Sequence, residues 1–185
     1  MGQYYRGVIL GNSFKKKKIV IKQVHSPYRH DNGAKLMEHS YVGNWYVREY
    51  ENALANDFYG SYFVWVGDYA DEIFDTDVYC SADIWYDKQM DKNKIIVNKR
   101  NDLNCEYKYV INFTKKEYIC IPKEKKDKLI IHPLPLLCSS GNGRAGGDYI
   151  GTNMKYVGSW AYNKIGIGNE IPEDFKELKI TFEEQ

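Results

Sequence analysis

The sequence predicts an α+β protein, with a mostly antiparallel sheet and one or two helices packed on one face. Short runs of β-branched and aromatic residues, separated by turn residues, occur at both ends of the chain and are typical of hairpins. Only residues 44–56 form a substantial helical pattern, with Tyr46, Tyr50 and Leu54 on one apolar face. The length of 185 residues suits a single domain spanning residues 1–185.

Taken in order, the chain alternates strand-like runs with turns. Strands are expected at residues 4–10, 18–24, 62–66, 84–86, 94–97, 107–113, 117–121, 129–132, 162–168 and 178–182. A short helix is expected at residues 33–40, before the longer one. The continuous apolar run at 62–66 is typical of a buried strand. Pro133 and Pro135 predict an extended edge segment, because proline cannot donate a hydrogen bond to a central strand.

Composition and charge limit the classes of function. The 26 basic residues nearly balance the 25 acidic ones, so general nucleic-acid binding is not expected. The chain shows neither a signal peptide nor an apolar run of about 18 residues, which predicts a cytoplasmic protein without a membrane span. The cysteines lack the spacing of metal ligands and are expected to be reduced and at least partly buried; they are Cys80, Cys105, Cys120 and Cys138. Neither a metal nor a cofactor is expected.

Residues 137–160 are the richest in glycine and hold the candidate ligand site. The pattern Gly-x-Gly-x-x-Gly occurs here, but poor helix formers follow it, unlike in a dinucleotide-binding turn. What remains is a cluster of exposed backbone N–H groups with one guanidinium, suited to a phosphate or carboxylate. The candidate ligand-binding residues are Gly141, Gly143, Arg144, Gly146, Gly147 and Asp148. The alternative is a tight turn in which Arg144 pairs with Asp148 or Asp68.

Three further residues are candidates for catalysis. Asp68 and Asp71 follow the buried strand at 62–66, where two carboxylates can hold Mg²⁺ or act as acid and base. The alternative is a turn in which Asp68 accepts from backbone N–H groups. His39 could act as a general base oriented by Glu38 or Asp68; the alternative is a structural histidine. Asp68 and Asp71 are also expected to lie near the glycine-rich loop.

Several motifs together resemble an uncharacterised family of small bacterial and phage proteins. They are MGQYY at the start, KLMEHSYVGN at 35–44, WVGDYAD at 65–71, NGRAGGDY at 142–149 and VGSWA at 157–161. Members of that family open with MGQYY and carry GDYAD and NGRGGGD motifs. This chain differs in Ala145, where glycine is expected, and in a longer insert at 72–106. The resemblance implies kinship and a phage setting, and it assigns no catalytic residue.

Three functions remain open. The first is binding of a phosphate-bearing small ligand, such as a nucleotide or nucleotide signal, at the glycine-rich loop. In a phage protein, such binding would counter host defence. The second is a hydrolase or transferase that uses Asp68, Asp71 and His39. The third is a protein–protein interaction module that blocks a host protein. The sequence leaves open whether the chain is an enzyme.

Overall fold

The computed structural model describes residues 3–92, 103, 106–143 and 148–185, which form one extended sheet with helices around it. The strands are β1 (Tyr5–Leu10), β2 (Ile21–Val24), β3 (Ser61–Gly67), β4 (Tyr109–Asn112), β5 (Glu117–Cys120), β6 (Ser139–Ser140), β7 (Asn163–Gly168) and β8 (Lys176–Glu177). The α-helices are α1 (Leu36–His39), α2 (Trp45–Ala55), α3 (Val78–Asp91) and α4 (Pro133–Leu137), and the 3₁₀ turns are Asn12–Lys16, Pro27–His30 and Met154–Tyr156. No helix in these residues is long and apolar enough to cross a membrane.

The sheet is mostly antiparallel, which confirms the expected fold class. The strand order is β2-β1-β3-β7-β4-β5-β8, and neighbours along this order pair antiparallel except β5 and β8. β6 pairs parallel with β3, through Trp65 and Val66, next to the part of β3 that β7 pairs with. The edge of β3 is therefore shared by two segments that are far apart in the sequence, and this arrangement positions the candidate site.

The helices cover both faces of the sheet, whereas the sequence analysis placed them on one. β1 and β3 alternate their side chains, so that Ile9 and Trp65 pack with α2 while Val8 and Val66 pack with α3. Both strands are buried on both sides, and each apolar face must be shielded from water. α3 supplies the second cover, and it includes residues 84–86, for which local β-propensity predicted a strand.

α2 confirms the predicted helix and its apolar face. Asn44 begins it, because its Oδ1 accepts hydrogen bonds from the backbone N–H groups of Tyr46 at 2.9 Å and Val47 at 3.4 Å. Tyr50 lies against β1 at Gly7, where a Cβ atom would come within 2.6 Å of the Tyr50 ring. Gly7 therefore permits the close approach of the helix to the sheet.

The side chain of Arg6 in β1 contacts α3. The Arg6 guanidinium lies 2.5 Å from Oδ1 of Asp83 and 4.6 Å from the centre of the Tyr79 ring. The Arg6 side chain is only 12% exposed, so this pair holds a nearly buried charge. Asp77 caps the start of the helix by accepting from the backbone N–H of Cys80 at 2.9 Å.

Other local expectations were wrong or lie outside the described part of the chain. The prolines at 133 and 135 belong to α4, where proline is tolerated because the first helical N–H groups have no partner within the helix. Residues 129–132 form only an isolated bridge, and the last strand is β8 rather than 178–182. Cys80 and Cys120 are free but exposed, contrary to expectation, while Cys138 is free and buried. Residues 94–97 and Cys105 are not among the described residues.

Candidate functional site

The beginning of the glycine-rich loop and the end of β3 lie at the same edge of the sheet. β6 runs beside Trp65 and Val66, so the chain enters the loop next to Gly67 and Asp68. The Gln3 carboxamide lies beside Gly67 and binds the loop, since it both donates to the Asn142 carbonyl and accepts from the Asn142 N–H, each at 3.2 Å. Asp68, the residue after β3, thus lies at the same edge of the sheet as the start of the loop.

At this edge the Asp68 carboxylate binds backbone. Its Oδ1 accepts from the N–H of Tyr4 at 3.1 Å, and its own N–H donates to the Tyr4 carbonyl at 3.0 Å. Asp68 therefore extends the pairing of β1 with β3 by one step. Asp71 is exposed. No group of three or more His, Cys, Asp or Glu side chains in the described residues is arranged to hold a metal ion.

Asp148, at the far end of the loop, also contacts backbone. Its Oδ2 accepts from the N–H of Leu36 at the start of α1, at 3.3 Å, and burial raises the pKa of its carboxyl group. Gly143 has a positive φ of 63° and open space around it. Arg144, Gly146 and Gly147 lie outside the described residues, so their part in ligand binding stays a prediction.

His39 is fully buried, with both ring nitrogens engaged. Its Nε2 accepts from the Trp65 indole at 3.0 Å, so the Nδ1–H donates to the Gly33 carbonyl, also at 3.0 Å. Burial lowers the pKa of His39 to about 4, so the ring is neutral at pH 7. In this arrangement His39 connects α1 to β3, and neither nitrogen is presented to a substrate.

A pocket of about 270 Å³ lies at the base of the glycine-rich loop. One wall consists of β6 and Gly141, and the other consists of residues 155–162, which lead into β7. The lining residues are Ser139, Ser140, Gly141, Lys155, Val157, Gly158, Ser159, Ala161 and Tyr162. Of the candidate ligand residues taken from the sequence, Gly141 lines this pocket.

Two hydroxyl groups in the pocket wall are buried without a hydrogen-bond partner among the described residues. They belong to Ser159 and Tyr162. Burial raises the pKa of Tyr162 to about 12, so the phenol stays protonated at pH 7; the Ser140 side chain, which lies close to the phenol but outside hydrogen-bond geometry, lowers the pKa. Tyr162 also has a positive φ of 59°, a conformation that is uncommon for a bulky residue. Buried polar groups nearly always have partners, and a ligand could supply the ones missing here.

The backbone of this wall is already engaged. The N–H groups of Gly158, Ser159 and Tyr162 donate to carbonyls within the fold, at 2.8, 3.0 and 2.9 Å. Gly158 has a φ of 73°, and a Cβ there would lie 2.7 Å from the Ser139 carbonyl oxygen, so the wall requires glycine. In this wall, donors toward a ligand come from side chains, and Lys155 brings a positive charge to the lining.

The stretch 137–160, which the sequence analysis singled out, includes seven of the nine pocket residues, but of these only Gly141 was named as a candidate ligand residue. Sequence reasoning singled out the motif VGSWA, which contains Gly158 and Ser159, but only as part of a resemblance. It also missed that all four histidines are buried, three of them beside acidic residues of α2, and a ring nitrogen of His25 lies 3.9 Å from a Glu49 oxygen. His30 lies 3.5 Å from Glu49, and His132 lies 3.0 Å from Glu51. Glu49 and Glu51 read as part of the polar face of α2 in the sequence, and only the structure shows that they are buried.

Comparison of the chain with protein-family models, curated proteins and solved structures found no match.

Proposed function

We propose that this protein binds a small phosphate-bearing ligand, a nucleotide or nucleotide signal, in the pocket at the base of the glycine-rich loop. The observation that carries the proposal is the pair of buried hydroxyls of Ser159 and Tyr162, which have no partner in the described part of the chain. Leaving a buried donor unsatisfied destabilises a fold by about 1–3 kcal/mol. A phosphate group, with several strong acceptor oxygens, would satisfy both.

The charge of the pocket agrees with an anionic ligand. Lys155 is a lining residue with a compact ammonium group, which suits phosphate as a point charge. Gly141 begins the loop that carries Arg144, and the guanidinium of Arg144 is proposed as a second cation for the same ligand. Hydroxyl and cationic donors together favour a phosphate over a neutral metabolite, because hydrogen bonds to charged groups are the stronger ones.

The biological setting of the proposal comes from the resemblance of the sequence motifs. That resemblance implies a phage protein, which would act in the cytoplasm of the host. A phage protein that sequesters a nucleotide signal of its host would counter host defence without needing a catalytic residue. This role agrees with the engagement of His39 and Asp68 in contacts within the fold.

Thermal melts with a panel of nucleotides and phosphosugars test the proposal, together with mass spectrometry of small molecules released from the purified protein. We expect at least one phosphate-bearing compound to raise the melting temperature of the wild type, because ligands that bind only the folded state stabilise it. Lys155→Gln should reduce that rise. Lys176→Gln, which removes an exposed lysine from β8 at the edge of the sheet, is the matched control. If no compound shifts the melting temperature and none is released, the interaction module becomes the better hypothesis.

A further inference from the structure

Four consecutive lysines lie in the turn that joins β1 to β2, and we call residues 15–18 the basic turn. All four are exposed, and none of them makes an ion pair within the described part of the chain. No acidic residue occurs in the sequence before Asp31, so neighbours along the chain do not offset this charge. A run of like charges repels itself unless opposite charges approach it from elsewhere.

Residues 71–75, which we call the acidic loop, connect β3 to α3 and lie beside the basic turn. The ring of Phe74 in this loop is 5.2 Å from the ring of Phe14, the residue that precedes the basic turn. Three exposed side chains of the loop are acidic and likewise make no ion pair in the described residues: Asp71, Glu72 and Asp75. One surface of the protein thus carries two adjacent regions of opposite charge.

Packing and backbone geometry hold both regions in place. Phe14 stacks on Tyr162, with 5.7 Å between the ring centres and 2° between the ring planes. In the acidic loop, Ile73 and Thr76 exchange backbone hydrogen bonds of 3.0 and 3.1 Å, and the two residues between them have positive φ values of 52° and 57°. These values are typical of a tight two-residue turn. A surface that is already ordered loses little conformational entropy when it binds a partner.

The mixture of charges indicates the kind of partner. A nucleic acid or an anionic membrane would be attracted by the basic turn but repelled by the acidic loop next to it. A second copy of this chain carries the same two regions, and a two-fold arrangement places each basic turn against the acidic loop of the other copy. Phe74, which is 39% exposed, provides an apolar group at the boundary of the two regions.

We propose that this face is a self-complementary interface through which two copies of the chain associate. The basic turn of each copy pairs with the acidic loop of the other, and Phe74 lies near the two-fold axis. Exposed ion pairs contribute little singly and are screened by salt, so the dimer is weak and depends on ionic strength. The inference is independent of the proposed function, because the proposed ligand site uses no residue of a second copy.

Sedimentation velocity of the full chain tests the inference. In about 50 mM salt, we expect the sedimentation coefficient of the wild type to rise with protein concentration, and in about 500 mM salt the association should weaken at least about tenfold. Two charge-reversed variants extend the test. The basic-turn variant carries Lys15→Glu, Lys16→Glu and Lys18→Glu, and the acidic-loop variant carries Asp71→Lys and Glu72→Lys. Each alone should self-associate at least about tenfold more weakly than the wild type, because like charges then face each other.

An equimolar mixture of the two variants should associate again, because both contacts of the mixed dimer join opposite charges. The matched control reverses three exposed lysines in the loop after β5, at the other end of the sheet: Lys125→Glu, Lys126→Glu and Lys128→Glu. It has the same net charge as the basic-turn variant. When it is mixed with the acidic-loop variant, association should not be restored to the same extent. Melting curves verify that every variant is folded.

A wild type that stays monomeric at low salt would overturn the inference, and so would self-association that neither salt nor charge reversal changes. Failure of the mixed variants to associate would show that the basic turn and the acidic loop do not meet. A monomeric wild type that binds a single-stranded oligonucleotide, with binding lost in the basic-turn variant, would identify a nucleic-acid surface instead. Each of these results leaves the proposed function standing, because ligand binding is measured separately by the nucleotide panel.

Discussion

Trp65 in β3 and His39 at the end of α1 are joined inside the core by a 3.0 Å hydrogen bond from the indole N–H to Nε2 of the imidazole. The other ring nitrogen of His39 donates to the Gly33 carbonyl. His39, which follows Glu38 in the sequence, is thus a neutral residue that links α1 to β3 by hydrogen bonds. The same observation indicates that substitutions at His39 act first on stability.

We predict that His39→Ala lowers the free energy of unfolding by about 1–3 kcal/mol, because the buried indole N–H of Trp65 loses its acceptor. The cavity left by the imidazole lowers the stability further. Urea unfolding measures the change. In the double variant with Trp65→Phe the donor is absent as well, so the two losses should be less than additive. A loss below about 0.5 kcal/mol for His39→Ala would contradict this structural role.

Stability should fall with pH below neutrality. Burial lowers the pKa of both His25 and His39 to about 4, from an ordinary value of 6.5. The unfolded chain therefore binds more protons than the folded chain between pH 6.5 and pH 4, so stability decreases as the pH falls through that window. Each histidine contributes up to about 1.4 kcal/mol per pH unit.

Unfolding free energies measured at intervals from pH 7 to pH 4 check this prediction. The expected curve is steepest inside the window, since above pH 6.5 both states carry neutral rings. His39→Gln removes one of the two titrating groups and should reduce the slope. A wild-type stability that is constant from pH 6.5 to pH 4 would show that these histidines are not held neutral by the fold.

Asp83→Asn should destabilise the protein by about 1–2 kcal/mol, because it removes the counter-charge of the nearly buried Arg6. The value lies below the roughly 3–5 kcal/mol of a fully buried pair, since the Asp83 side chain is 47% exposed and partly screened by water. Asp87→Asn, at an exposed position of the same helix, is the matched control and should change stability by less than about 0.5 kcal/mol. Chemical denaturation measures the free energy of unfolding of both variants. Equal losses would contradict a stabilising ion pair between Arg6 and Asp83.

Arg144→Ala separates the two interpretations of the glycine-rich loop. If Arg144 contacts the ligand, stability should change by no more than about 0.5 kcal/mol while ligand binding weakens by roughly 1.5–3 kcal/mol. If it instead pairs with Asp148 or Asp68 in a buried turn, its removal should lower stability by about 3–5 kcal/mol. Melting curves with and without the best ligand of the panel distinguish these results, and a large loss of stability without a ligand effect contradicts the binding role.

Elements with strong local signals could be predicted from the sequence. Asn44 and the spacing of Tyr46, Tyr50 and Leu54 specify α2, since the cap and the apolar face are set by residues within three turns of helix. The run at 62–66 similarly indicates a buried strand. Residues 84–86 were misassigned because three β-formers in succession outweighed the cap at Asp77 and the surrounding helix formers.

The pocket could not be predicted, because long-range contacts create it. By itself, the sequence determined the fold class, the main helix and the existence of a glycine-rich loop, which depend on neighbours in the chain. Only the tertiary structure decided that β6 lies against β3, that Ser140, Ser159 and Tyr162 line one pocket, and that His39 meets Trp65. The physical reason is that burial and hydrogen-bond pairing act between residues that are close in space, whatever their separation in sequence.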